Sequence, residues 1–247
     1  MSNAGSMPAR IMAGCPVRNR AWVLPTYLAA LTQMDYPPEA IEFCFVINNC
    51  QDETPAILRD FARSCPSPVR LVEEDYSRPG GFKRGYYSLA RLAELRNRLL
   101  REFLDSSCTH LFSVDSDIIL PAFALRQMLA DNCPVVSALV CNGHELEDSG
   151  IFNVLNRDDQ GSYRHIRDIP AGVLFPVDCT GAACLIARDV IEKYGARYHS
   201  DKGAEDIGFC EEVLRRGLSI FCDSRIEGLH LMNEGMLADY WLQNCFP

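Results

Sequence analysis

The chain has 247 residues, 48% of them hydrophobic, enough to bury a sizeable core as one large domain or two fused halves. A formal net charge of −9 with no basic run to offset it argues against a nucleic-acid surface. No stretch of about 18 apolar residues is present to span a membrane. The opening Met1–Ser6 reads as an expression scar, with Met7 the native start, and no secretory signal is recognisable. The 12 cysteines are scattered without a Cys-x-x-Cys, several inside apolar runs such as Phe43–Ile47. They read as small buried hydrophobes in a reducing cytoplasm, and they lack the spacing of a zinc site.

In chain order the pattern alternates between strand and helix. Arg10–Cys15 is a short apolar strand stopped by Pro16, and Ala21–Gln33 is a helix with Leu24, Leu28 and Leu31 on one stripe. Ile41–Ile47 is a buried strand. Thr54 then serves as N-cap, with Pro55 at the first helical position, for a helix reaching about Ser64. Val69–Val72 is a third strand. Glu74–Tyr86, with Pro79-Gly80-Gly81, is a mobile loop. The strongest helix runs from Tyr87 to Leu104, with Leu92, Leu95, Leu99 and Phe103 on its apolar stripe.

That helix feeds the strand beginning at Leu111. Pro121–Asp131 is a further helix and Pro134–Val140 a further strand, and this order predicts a mainly parallel sheet with helices on both faces. From Cys141 to Phe175 the chain is polar and turn-rich with hairpin-like pieces. Val177–Ile186 leads into a helix from Arg188, and Gly203-Ala204-Glu205-Asp206 opens another through Arg216. Strand Leu218–Cys222 and the segment Ile226–Met232 follow. With no linker-like break, residues 7–247 read as a single α/β domain: 7–140 binds one ligand and 141–247 supplies the other.

The run Leu111–Leu120 contains Asp115-Ser116-Asp117. Carboxylates two apart on a strand point to one side, roughly 6–7 Å apart at Cα, an arrangement suited to one hard divalent cation that also accepts phosphate oxygens. The same Asp-x-Asp also occurs as a solvated turn or helix cap. In an open sheet, ligands bind beyond the carboxyl ends of the strands, where Asp115 and Asp117 fall.

These motifs together resemble the GT-A fold glycosyltransferases, family-2-like or of the related mannosyltransferase type, over nearly the whole chain from Ile11 to His230. Pro16-Val-Arg-Asn19 resembles the end of the family's first strand, Val46–Thr54 its second, Arg96-Asn97 its helical Arg-Asn pair, and Val114-Asp-Ser-Asp117 its metal motif. Thr180-Gly181-Ala182 is similar to the acceptor-side turn, Glu205-Asp206 to the Glu-Asp helix start, and His230 to the histidine after the last strand. The resemblance implies a GT-A architecture with a smaller antiparallel acceptor-side region. It also implies transfer of a sugar from a nucleotide-diphosphate donor to a hydroxyl on a glycan, lipid or protein, assisted by Mn²⁺ or Mg²⁺.

By that resemblance Asp117 is a direct metal ligand. Asp115 ligates as well, or binds ribose hydroxyls or metal-bound water. Pro16, Arg18, Asn19, Asn48, Asp115 and Ser116 belong to the donor site, braced by Arg96 and Asn97. His230 is either a third ligand or a packed histidine. Lys83 and Arg84 reach phosphate from an ordering lid, or are solvated. Asp206, beside Glu205, takes the acceptor proton, although carboxylates at a helix start are also favoured by the helix dipole alone. Trp22 and Trp241 stack on sugar or, more in keeping with their type, pack in the core. Asn48 stands where the family commonly has an acid, so the nucleotide base is left open. Three alternatives remain: a haloacid-dehalogenase-like phosphatase with Asp115 as nucleophile, a sugar nucleotidyltransferase, or a non-catalytic nucleotide-sugar-binding module.

Overall fold

The computed structural model describes residues 8–75, 83–84, 87–143, 148–201 and 203–245. The first half holds β1 (Ile11–Val17), α1 (Leu24–Thr32), β2 (Ile41–Asn48), α2 (Thr54–Ser64) and β3 (Val69–Glu74). A small pair, β4 (Lys83–Arg84) and β5 (Tyr87–Ser88), precedes α3 (Leu89–Leu104), β6 (His110–Val114), β7 (Ile118–Ile119), α4 (Ala124–Asp131) and β8 (Val135–Val140). The second half holds β9 (Val154–Arg157), β10 (Tyr163–His165), β11 (Leu174–Val177), β12 (Cys179–Thr180) and β13 (Ala183–Ala187). It ends with α5 (Arg188–Glu192), α6 (Glu205–Arg215), β14 (Ile220–His230) and α7 (Glu234–Cys245). No described helix is long and apolar enough to cross a membrane.

Among the described residues the main sheet runs in the order β11-β14-β8-β13-β6-β1-β2-β3, with β7 paired to β14. Strands β6, β1, β2 and β3 are mutually parallel, as are β8 and β14, whereas β13 lies antiparallel between β6 and β8 and β11 antiparallel to β14. One sheet therefore takes strands from both sides of residue 140. A separate three-stranded antiparallel sheet, β10-β9-β12, lies in the second half.

Side-chain alternation splits each strand between two cores. Ile11, Ala13, Cys15, Phe43, Phe45 and Ile47 face α1, α2 and α4; Met12, Cys44, Val46 and Leu111 face α3, α5 and α6. Full burial of one such large side chain contributes about 1.5–3 kcal/mol, and Phe45, Phe112, Leu99 and Phe103 are among those removed from solvent. Helix α3 begins where the Ser88 hydroxyl accepts from Arg91 N (3.3 Å). At its other end Arg188 donates to the carbonyls of Phe103, Leu104, Ser106 and Cys108 at 2.8–3.3 Å, satisfying acceptors that a helix terminus leaves without partners.

The structure departs from the sequence expectations at several points. Strand β1 does not stop at Pro16 but continues to Val17. Its pairing with β6 ends at Gly14, so Pro16 sits where only β2 flanks the strand and a missing N–H is tolerated. Helix α1 starts at Leu24, beside Pro25, rather than at Ala21. Thr54 is the first helical residue and not the cap: its hydroxyl accepts from Arg20 N (2.7 Å), while Asp52 accepts from Thr54 N (3.1 Å). The last two strand segments are one strand, β14, irregular between Asp223 and Glu227. Helix α7 was not expected. Its Met236, Leu237 and Tyr240 pack on the core but Trp241 is 43% exposed, so Trp241 is not a core residue; Trp22 does pack against the core.

Strands β1 and β2 approach closely at Gly14, where a Cβ would stand 1.8 Å from the Cys44 carbonyl oxygen. The obstacle is backbone and cannot swing aside. Gly14→Ala should therefore cost about 1–3 kcal/mol or more, measured as a lower denaturant midpoint with an unchanged slope.

Candidate functional site

Strand β6 ends at Val114, whose carbonyl accepts from the buried Tyr27 hydroxyl (2.7 Å). Beyond it the backbone is pinned from three directions. Asp115 N donates to Ala182 O (2.7 Å), Ile118 N returns to Asp115 O (2.9 Å), and Leu231 N donates to Asp117 O (2.8 Å). Asp115-Ser116-Asp117 is thus a tight turn just past the strand, and strand alternation does not set the direction of its side chains. Both carboxylates line one cleft of about 680 Å³, open mouth included, together with Pro16, Val17, Arg18, Arg20, Asn48, Arg91, Arg96 and Ser116. Their partners differ.

Asp115 faces Arg96, whose Nη2 donates to both of its carboxylate oxygens at 3.0 and 3.1 Å. The same guanidinium donates through Nε to Glu205 Oε1 (3.1 Å), has Asp206 Oδ1 3.9 Å away, and lies 5.6 Å from the centroid of the Tyr198 ring. The Arg96 side chain is only 6% exposed. Removal from water works against its charge, but Asp115, Asp206 and Glu205 hold it well above the ordinary arginine value.

Asp117 has other partners. Arg20 Nη2 donates to its Oδ2 at 3.1 Å, and His230 Nε2 stands 3.7 Å from its Oδ1. The other ring nitrogen, His230 Nδ1, is 3.1 Å from Asn142 Oδ1. Burial pushes the Asp117 carboxyl up, but His230 and Arg20 outweigh it and leave the group below its usual range. Asp115 is raised: removal from water, with the charges of Asp117 and Glu205, exceeds the opposing pull of Arg96.

Asp206 is positioned by the turn between β12 and β13. A Cβ on Gly181 would lie 2.1 Å from Asp206 Oδ2, so the carboxyl occupies the space that any side chain at 181 would need. The next residue, Ala182, sits at φ 66°. Behind the turn the buried Asn153 donates to Gly181 O (2.9 Å), Thr180 Oγ1 (3.2 Å) and Ala138 O (2.9 Å) and accepts from Val140 N (2.8 Å). Withdrawal from bulk water, then the Glu205 charge, push Asp206 up to about 8 against the pull of Arg96. Glu205 is 3% exposed and turned into its ion pair with Arg96.

The other sequence-derived candidates divide. Pro16, Arg18, Asn48 and Ser116 line the cleft. Asn48 Nδ2 donates to Glu74 O (2.9 Å) and Asn49 Oδ1 (2.5 Å), which orients the amide, while its buried Oδ1 has no partner among the described residues. Asn19, at φ 50°, instead ties two loops together by accepting from Gln51 N (2.8 Å). Asn97 exchanges two hydrogen bonds with the Tyr198 backbone (2.8 and 2.9 Å), holding the ring that covers Arg96. The side chains of Lys83 and Arg84, and most of the glycine-flanked loop, lie outside the described residues. Sequence reading missed Arg20, Asn142 and Asn153. Arg20 was within reach: β1 and β6 are adjacent parallel strands, so the residues after β1 emerge beside those after β6.

Among the described residues no three His, Cys, Asp or Glu side chains converge closely enough to hold a metal by themselves.

No family model matches the sequence. A glycosyltransferase 25 family member from Drosophila pseudoobscura pseudoobscura is 22% identical over 220 residues, 84% of this chain. The chain spans about a third (33%) of that protein's length. Solved structures match more broadly in shape. TarS of S. aureus in complex with UDP superimposes with a TM-score of 0.60 at 15% identity, over 89% of this chain and 60% of its own. The mannosyltransferase PcManGT from Pyrobaculum calidifontis, in complex with GDP-Man and Mn²⁺, gives 0.60 at 18% identity, over 92% and 58%. GalNAc-T7 with UDP, GalNAc and Mn²⁺ gives 0.66 at 12% identity, over 92% and 44%. The chain has the GT-A glycosyltransferase fold, a large mixed sheet between helices with a small antiparallel sheet at one side.

The raised Asp206 has a consequence for stability. An unfolded chain sheds this proton near the ordinary value of 3.8, while the folded chain keeps it up to about 8. The folded state thus binds the extra proton across that window, and stability falls as pH climbs from about 4 to about 8. With metal chelated, Asp206→Asn should melt higher than the parent at pH 8 and at the same temperature near pH 4. Parallel melting curves across the range would show that burial does not perturb this carboxyl.

Proposed function

We propose that the chain is a metal-assisted glycosyltransferase that moves a sugar from a nucleoside-diphosphate donor to a hydroxyl acceptor. The observation that carries this reading is the pair of carboxylate sites, Asp115-Ser116-Asp117 and Glu205-Asp206, joined by the buried Arg96, which lines both the cleft of Asp115 and Asp117 and the smaller cavity of Asp206. A phosphoryl nucleophile at Asp115 is disfavoured, since both of its oxygens accept from Arg96. The solved structures with the same fold support the reading, since they are complexes with UDP, with GDP-Man and Mn²⁺, and with UDP, GalNAc and Mn²⁺.

The residues present suit a hard divalent cation. The 3.7 Å between His230 Nε2 and Asp117 Oδ1 is longer than a hydrogen bond and short enough for the two atoms to face one shared cation. Around Arg20 and Arg96 stand four carboxyl groups (Asp115, Asp117, Glu205, Asp206), more acids than the two guanidiniums can balance even with Asp206 holding its proton. Mg²⁺ and Mn²⁺ sites commonly use one or two carboxylates and complete their shell with water and substrate phosphates. Asp117 and His230 would hold the ion, with Asp115 turned to Arg96. When bound, the ion supplies Lewis-acid neutralisation of the diphosphate leaving group.

The chain's own groups do the rest. Residues 7–140 bind the donor and 141–247 the acceptor, within one domain. The unpartnered Asn48 Oδ1 accepts a donor group of the nucleoside. The acceptor oxygen attacks the anomeric carbon, the bond to the diphosphate breaks with its electron pair, and the acceptor proton passes to Asp206, whose raised pKa makes it a stronger base once ionised. Eleven described cysteines are free, which suits a reducing cytoplasmic setting.

Two outcomes test this. Mn²⁺ should tighten binding of UDP or GDP in calorimetry, and Asp117→Ala should abolish the difference. Asp206→Asn should keep donor affinity while transfer falls about 10²–10⁴-fold, and in the parent kcat/KM should rise with pH toward about 8 as the base ionises. Near-normal transfer by Asp206→Asn would mean a retaining route that needs no base at this position.

A further inference from the structure

Arg20 reaches Asp117 across 97 positions of sequence, from the loop after β1 to the turn after β6. Its backbone is fixed independently of its side chain: Arg20 N donates to Thr54 Oγ1 (2.7 Å), and Arg20 O accepts from Val23 N and Leu24 N at the start of α1. The guanidinium is thus presented by a rigid turn, on the Asp117 oxygen opposite the one that faces His230. It also lines the cleft, where Arg18 and Arg91 are its basic neighbours.

Resting on the metal-assisted reading above, we propose that Arg20 couples divalent-cation binding to donor binding. Before a donor arrives, Arg20 and the cation share one carboxylate. Two positive groups on Asp117 repel, so the resident guanidinium weakens cation binding. A nucleoside diphosphate reverses the sign, because its oxygens accept from the guanidinium while they coordinate the cation, and both positive groups then face the same anion. Arg20 opposes the cation alone and assists it once the diphosphate is bound. The chain thereby favours loading of the cation together with the donor over loading of the cation by itself.

The two effects have opposite signs, which separates this role from a structural one. The measurements are Mn²⁺ affinity of the full chain by electron paramagnetic resonance, without nucleotide, and UDP and GDP affinity at saturating Mn²⁺ by calorimetry. Arg20→Gln should bind Mn²⁺ alone about tenfold more tightly than the parent, and bind the nucleotide with Mn²⁺ about 10–100-fold more weakly, the loss of a charge-assisted hydrogen bond. Arg20→Lys, keeping the charge, should stay near the parent in the first measurement. Mn²⁺ binding unchanged or weaker in Arg20→Gln, with a parent that binds Mn²⁺, overturns this inference alone, as does unchanged nucleotide affinity. A parent that binds no Mn²⁺ with or without UDP or GDP overturns the metal-assisted reading and this inference with it.

Discussion

The buried guanidinium of Arg96 is the interaction on which the rest of the site depends. It is reached from three separate stretches of chain: the turn after β6 through Asp115, the start of α6 through Glu205 and Asp206, and the loop at Tyr198 through its ring. Removing one partner of such a buried set costs about 3–5 kcal/mol, because the charges left behind are neither solvated nor paired. The geometry is accordingly over-determined. Asn97, the next residue on α3, holds the Tyr198 backbone by two hydrogen bonds, and Tyr198 stacks on Phe209 of α6 with ring centroids 4.4 Å apart. One turn of α3 thus sets the distance between the two carboxylate pairs.

A second constraint acts through backbone. The Thr180-Gly181-Ala182 turn carries Ala182 at positive φ, gives its carbonyl to Asp115 N, and leaves room at Gly181 for the Asp206 carboxyl. Such a conformation is costly for alanine and persists only where surrounding bonds enforce it. Asn153 supplies that enforcement from the position just before β9, tying the turn to the end of β8. The small antiparallel sheet therefore matters to the site although no carboxylate comes from it. The residue that holds the turn against which Asp206 rests immediately precedes its strand β9.

How far the molecule was legible in its sequence follows from the range of the forces involved. Strands such as Ile41–Asn48 and the stripe Leu95, Leu99, Phe103 announce themselves because burial repeats with the local period of the backbone. The Asp-x-Asp and Glu-Asp pairs stand out because like charges side by side are costly without a reason. Arg20 carries no such mark: it is one arginine in a loop, and only the adjacency of β1 and β6 brings it to Asp117. Asn153 is equally silent, a polar residue in a turn-rich stretch whose four bonds all depend on tertiary structure. Strand alternation does not reach the separate partners of Asp115 and Asp117 for a related reason: the bond from Ile118 N to Asp115 O turns these residues out of the strand. Helix α7 was missed because Trp241 and Leu242 are exposed, so its apolar residues do not form one stripe.

The charges of the cleft explain why these pieces belong together. Burial, and then the charges of neighbouring carboxylates, raise Asp115 and Asp206, each carboxyl resisting ionisation although Arg96 draws both the other way. The same cleft is also lined by Arg18 and Arg91. Carboxylates and guanidiniums that share one cleft suit a ligand carrying both signs, a divalent cation joined to a diphosphate. The cation alone would meet the guanidiniums and the diphosphate alone would meet the carboxylates, which is the electrostatic reason that cation and donor are expected to bind as one.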